Sequence, residues 1–134
     1  MRPRAHVRVA VGFALLAALF AAASLDRAPQ WLPLVYLGLG VISFLNYWRD
    51  KRAAVSGEWR VSEAALLGLD VVGGIVGGLF AQQLLRHKTQ KPDFVRATWM
   101  IATLHAAALL LLGAFGLDAI GAFVDRLQEV ATSL

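Results

Sequence analysis

Polar residues in this chain are gathered into short clusters, and the clusters are separated by long apolar runs. Residues 9–25 carry no charge, with Ser24 as their one polar side chain, and residues 31–48 are likewise uncharged. Residues 61–85 are mostly apolar but carry Glu63 near the start and Asp70 inside, while residues 97–117 are interrupted by Thr98, Thr103 and His105. Each run is near the roughly 20 residues that cross a ~30 Å hydrocarbon core. The interior of a bilayer offers the backbone no water to bond, so each run must be helical. The pattern therefore predicts an all-α integral membrane protein, a small bundle of three to four membrane helices at 7–25, 31–48, 61–86 and 97–117. In the tail, 118–134, Ala119, Ile120, Phe123, Leu127, Val130 and Leu134 recur at helical spacing opposite Asp125, Arg126, Gln128 and Glu129. That spacing predicts an amphipathic helix at an interface or against the bundle, and its acidic bias argues against attraction to anionic lipid.

Composition agrees. The 134 residues are 58% hydrophobic and 16% charged, against roughly 45–50% and 25% in soluble domains. The length fits a single domain. There is no cysteine, so neither a disulfide framework nor a thiolate site can be built. His6, His87 and His105 are too far apart for a metal-ligand spacing, and no metal or cofactor is expected. A net charge of +4 could suggest nucleic acid, but the cations sit in short segments flanking the apolar runs, as juxtamembrane Lys and Arg do. Nucleic acid is not the expected partner. Trp31, Trp48, Trp59 and Trp99 lie near segment ends, the place of interfacial aromatic belts, and Tyr47 beside Trp48 reads the same way.

The first run has two readings. Arg2, Arg4 and Arg8, an apolar core and Ala21-Ala22-Ala23 before Ser24 resemble a secretory signal with a cleavage site. The core is longer than the usual ~7–15 residues, which favours an uncleaved signal anchor. Either way the N-terminus starts in the cytoplasm.

The thirteen Lys and Arg create a conflict further on. Arg49, Lys51, Arg52 and Arg60 follow the second run, and Arg86, Lys88, Lys91 and Arg96 follow the third. If the third run crosses the membrane, one of these two basic loops lies outside, against the positive-inside rule. The run centres on Gly73-Gly74-Ile75-Val76-Gly77-Gly78. As one helix of 25 residues it spans about 37 Å. As a glycine-turned hairpin it dips to midplane and returns, a backbone tolerated where it is buried in protein. The same glycines form two GxxxG pairs, which allow close helix packing. A plain span is the commoner arrangement, whereas the charge pattern favours the hairpin.

The middle of the chain reads Asn46-Tyr47-Trp48-Arg49-Asp50-Lys51-Arg52-Ala53-Ala54, then Gly57-Glu58-Trp59-Arg60-Val61-Ser62-Glu63, Gly73-Gly74 with Gly77, and Arg86-His87-Lys88-Thr89-Gln90-Lys91 before Phe94. Over residues 34–114 this resembles the bacterial membrane family known as domain of unknown function 1294. The family pattern is a DK pair, G-x-W-R-x-x-E, GG-x-x-G, and an RHKT run before a phenylalanine. The resemblance implies a multi-pass protein of the bacterial inner membrane and no particular activity. Some members resemble fusions to a cold-shock domain, which this chain lacks ahead of its first helix.

If the glycine segment returns, Asp50, Lys51, Arg60 and Glu63 meet Arg86, His87 and Lys88 in one cationic site. Arginine offers a bidentate fork for phosphate and lysine a point charge, so an anionic lipid headgroup or a phosphate-bearing partner fits. Each residue also has a plain structural role: Ser62 and Glu63 suit a helix N-terminus, Arg86, His87 and Lys88 suit a helix C-terminus, and Asp93 suits a cap for the last helix. Asp70 and His105 lie near midplane, where a buried charge is costly unless paired; a hydrogen bond between them would join two helices. The leading reading is a non-catalytic module binding anionic lipid at its cytoplasmic motifs, as a possible homo-oligomer or with a larger membrane partner. An enzyme acting on a phosphorylated lipid through Glu63 and His87 is one alternative, though no nucleophile motif supports it. A transport or channel component using Asp70 and His105 is another.

Overall fold

A computed structural model describes residues 6–87 and 91–134. Its elements are α1 (Val7–Ser24), α2 (Leu32–Ser56), α3 (Glu63–Leu69), a π-helical turn (Asp70–Gly74), α4 (Ile75–Leu84) and α5 (Pro92–Ser133). No strand occurs among the described residues. This is an all-α membrane bundle. By length and composition three helical stretches suffice to cross a membrane: Val7–Ser24, Glu63–Leu84 and Pro92–Ser133. The second of these is not a rod. Gly73 has φ 135° and ψ −3°, a conformation that glycine alone adopts readily, and the chain reverses there.

The contacts on either side of Gly73 show the reversal. Before it, Arg60 meets Asp50 and Asp70 meets Tyr47 and Ser43, so this arm runs antiparallel to α2. After it, Gly77 lies on Gly40, Gln82 on Tyr47 and Leu85 on Lys51, so α4 runs parallel to α2. At the tip, a Cβ on Gly73 would stand 2.8 Å from the side chain of Leu39. From Asp50 to Leu39 along α2 is about 16 Å at ~1.5 Å per residue, about half of a ~30 Å core. A single straight helix over 61–86 is thus corrected: α3 and α4 form a hairpin whose tip lies against Leu39 of α2. The helix breaks because Gly73 leaves the right-handed region. The arms fit against α2 because a Cβ on Gly77 would lie only 1.7 Å from the Gly40 carbonyl oxygen, a backbone-to-backbone approach open only to glycine.

Three long helices surround the hairpin. The 25 residues of α2 cover about 37 Å, its hydropathy lowered by Asn46, Tyr47 and the charged turns after Trp48. Along α1, Leu15, Leu19 and Ala22 enter the main core with Ile75, Val76 and Leu79 of α4 and Ile101, Ala102, Leu109 and Leu112 of α5. The first helix is therefore a packed part of the bundle. A smaller core joins Tyr47, Leu66, Ala81 and Phe94. The last helix breaks at Gly116 (φ 75°, ψ 167°), where Arg27 from the loop after α1 donates to the Ala114 carbonyl at 3.1 Å. That bond places the end of α1 beside the end of the first part of α5. The predicted tail helix continues beyond Gly116 to Ser133 and is exposed apart from a half-buried Ile120.

Two local expectations deserve separate notice. Ser62 caps α3, accepting from the Ala65 amide at 3.1 Å, with Glu63 in the first turn. Asp93 does not cap α5. Lys91 holds the N-cap position, Pro92 opens the helix, and Asp93 in the first turn pairs with Arg96 at 3.6 Å. Proline at the first helical position moves the boundary two residues earlier than an Asp93 cap requires.

Candidate functional site at the hairpin stem

Because the hairpin returns, both of its ends reach the last turns of α2. Asp50, fully buried, is the point at which they meet. The Arg60 Nε donates to Asp50 Oδ1 at 3.2 Å and its Nη2 to Oδ2 at 3.1 Å, the two-pronged geometry that guanidinium and carboxylate favour. On the other stem His87 Nε2 donates to the same Oδ2 at 2.6 Å. Asp50 thereby clasps residues on opposite sides of the hairpin. The hydrogen bonds and charge of Asp50 raise the Arg60 pKa above its ordinary value. The Arg60 side chain is half exposed, whereas that of His87 is 11% exposed.

A second ion pair ties the stem to α5: Lys91 bonds Glu63 across the start of α3. Lys51 donates to the Leu85 carbonyl at the end of α4, where a cation also complements the helix dipole. Arg86 is exposed with φ 49°, the turn that ends α4. The sequence-predicted cluster is therefore partly assembled: Asp50, Arg60 and His87 are in contact, Lys51 and Glu63 are bonded nearby, and Lys88 lies outside the described residues. Among the described residues no hydrogen bond links Glu63 to His87; each has a different ionic partner. Nor do three or more described His, Asp or Glu side chains gather as metal ligands.

Deeper in the bundle, a chain of mostly buried polar groups ties α1, α2, the π-helical turn, α4 and α5 together. Ser43 Oγ donates to Asp70 Oδ1 at 2.6 Å, and the Tyr47 hydroxyl donates to Oδ2 at 2.7 Å. Gln82 Nε2 donates to the Tyr47 oxygen at 3.2 Å and to Thr98 Oγ1 at 3.1 Å. Arg8 Nε, from α1, donates to Gln82 Oε1 at 3.2 Å, while its guanidinium lies 5.7 Å from the centre of the Trp99 ring. Ser43, Tyr47, Asp70, Gln82 and Thr98 are all fully buried. Among the described residues every buried side-chain polar atom has a partner, as a low-dielectric interior demands. Gly78 makes room for this network, since a Cβ there would stand 2.5 Å from the Asp70 carboxylate.

His105 joins α5 to the hairpin, although not through the Asp70 carboxylate. Its Nε2 faces the main-chain carbonyls of Asp70 at 3.2 Å and Val71 at 3.0 Å, and its Nδ1 meets the Tyr36 hydroxyl at 2.7 Å. Tyr47 is a correction to the belt reading: it is buried, bonded to Asp70, and edge-on to Phe94 at 6.1 Å. Sequence reasoning named Arg8 only as an N-terminal cation and Thr98 only as an interruption of its run, and passed over Ser43 and Gln82. Their one signal was polarity inside or beside an apolar run.

These features define a membrane bundle of three long helices around a hairpin, clasped at its stem by one buried carboxylate. Residues 40–94 match the model of a family described as Protein of unknown function (DUF1294). The matched stretch lies within 34–114 and runs from Gly40, which packs on Gly77, to Phe94, which packs on Tyr47. It thus holds the whole hairpin, both residues of its close backbone contact, and the Asp50 clasp. No curated protein and no solved structure matches the chain.

Proposed function

We propose that this protein is a non-catalytic membrane module that presents a cationic face to anionic lipid headgroups on the cytoplasmic side. The observation that carries this reading is the meeting of Arg60 and His87 on Asp50. Since the two hairpin ends coincide, Arg49, Lys51 and Arg52 at the end of α2 lie on the same face as Arg60, Arg86, Lys91 and Arg96. Arg8, bonded to Gln82 near the end of α4, belongs to that face as well. The opposite end holds Arg27. Three crossings, with the hairpin entering and leaving one side, satisfy the positive-inside rule and remove the charge conflict of a four-span topology. The fully bonded surroundings of Asp70 support its role as the pin that holds the hairpin in place.

Among the described residues Arg49, Arg52 and Arg86 make no ion pair with a carboxylate, and such juxtamembrane cations each gain roughly 1 kcal/mol beside an anionic surface. The test is lipid analysis of protein extracted directly into polymer-bounded membrane discs. Anionic phospholipid should be enriched over the surrounding membrane, and Arg49→Gln with Arg86→Gln should halve the enrichment. Discs from the wild-type protein with the bulk lipid composition would overturn the reading.

A further inference from the structure

Two other features of the bundle end in structure alone. The Asp70 network has every buried atom bonded, and the path from its carboxylate to His105 runs through a main-chain carbonyl, which cannot relay a proton. The exposed apolar stripe of the tail helix has nothing against it to identify what covers it. The last two turns of α2 differ, because there a groove, free cations and a defined depth coincide.

We infer that the groove between the end of α2 and the end of α4 is a site for the headgroup of a single anionic phospholipid. This deepens, and rests on, the proposed lipid-binding role of the basic face. The groove is open to its surroundings, holds about 400 Å³ and is lined by Trp48, Lys51, Arg52, Val55, Ser56 and Leu85. None of the six is acidic. The Arg52 guanidinium lies 4.8 Å from the centre of the Trp48 ring, and among the described residues it makes no ion pair. Stacking occupies its face and leaves the N–H edges open for a bidentate phosphate contact. Lys51 is held in place by the Leu85 carbonyl, adding a fixed positive charge.

Depth decides the source of the phosphate. Trp48 is the last residue of the uncharged run, and Lys51 and Arg52 stand roughly 5–6 Å beyond it at ~1.5 Å per residue. That is the headgroup layer, which adds about 5–8 Å to each side of the hydrocarbon core. A phosphate on Arg52 and Lys51 would place its acyl chains beside Trp48 and Leu85, toward the membrane interior. The absence of a carboxylate in the lining sets the selectivity. A zwitterionic headgroup would bring its ammonium against two cations with no counter-charge, because the nearby Asp50 is buried and clasped by Arg60 and His87. A glycerol headgroup meets no such repulsion.

The experiment is native mass spectrometry of the detergent-purified protein titrated with phosphatidylglycerol or phosphatidylethanolamine of identical chains. The wild-type protein should retain one phosphatidylglycerol at least ten-fold more tightly than phosphatidylethanolamine. Arg52→Gln should abolish that preference, Arg52→Lys should keep part of it, and Arg126→Gln, on the exposed tail helix, should leave it intact. Arg52 is exposed, and unchanged melting of Arg52→Gln confirms that its fold is kept. Millimolar glycerol phosphate should not displace the lipid; displacement would identify a soluble phosphate as the ligand and overturn the assignment. Retained preference in Arg52→Gln would overturn the groove while leaving the basic-face reading standing. No preference in the wild type would overturn both.

Discussion

Replacing Gly77 by alanine tests the hairpin at its tightest point. The added Cβ would lie 1.7 Å from the Gly40 carbonyl oxygen, whereas ordinary contact begins at 3.4 Å. The shortfall, 3.4 − 1.7, is about 1.7 Å, and both sides of the contact are helix backbone, so no rotamer change relieves it. The α4 helix must move outward by about that distance. The Gln82–Tyr47 bond, already 3.2 Å, would then be lost, and the support of Asp70 would loosen with it. Overpacking of this kind costs about 1–3 kcal/mol, and a backbone-to-backbone clash belongs at the upper end. Gly38 and Gly68 are helical glycines with nothing within 4 Å of an added Cβ, so Gly38→Ala and Gly68→Ala should be neutral or stabilising by about 0.5–1 kcal/mol. Thermal melting in detergent, followed by tryptophan fluorescence, should place Gly77→Ala on the order of 10 °C below these controls. A Gly77→Ala protein melting with the controls would refute the close approach of α4 to α2, and with it the hairpin.

Other outcomes follow from the same contacts. Asp50→Asn removes the acceptor shared by Arg60 and His87 and should cost about 2–4 kcal/mol. In a melting cycle with His87→Gln the two losses should be markedly non-additive, and simple additivity would show that the clasp is absent. Tyr47→Phe leaves Asp70 Oδ2 and the Gln82 amide short of a partner and should destabilise by about 1–3 kcal/mol; wild-type melting would remove Tyr47 from the network. The protein has no native cysteine, so Ser56→Cys, Arg86→Cys and Leu25→Cys can each be labelled in intact cells with an impermeant maleimide. Leu25→Cys should react, while Ser56→Cys and Arg86→Cys should react only after lysis. Labelling of Ser56→Cys and Arg86→Cys from opposite sides would restore the four-span topology.

The apolar runs by themselves determined that the chain is helical and suited to a membrane, because uncharged stretches near 20 residues leave the backbone no other way to satisfy its hydrogen bonds in lipid. Purely local chemistry was equally legible: Ser62 caps α3, since the cap and its amide are three residues apart. The glycine cluster and the two basic loops pointed to a hairpin without excluding a span, because GxxxG spacing serves a turn and a packing face alike. Only tertiary structure decided between them, through contacts such as Gly77 on Gly40 that join residues 37 positions apart (77 − 40). It alone revealed that Asp50 receives both stems and that Tyr47 turns inward to Asp70 rather than outward to the interface. A side chain at a helix end can face lipid, water or a neighbouring helix. The local sequence is the same in each case, and the depth and direction of the packed partner settle which one is realised.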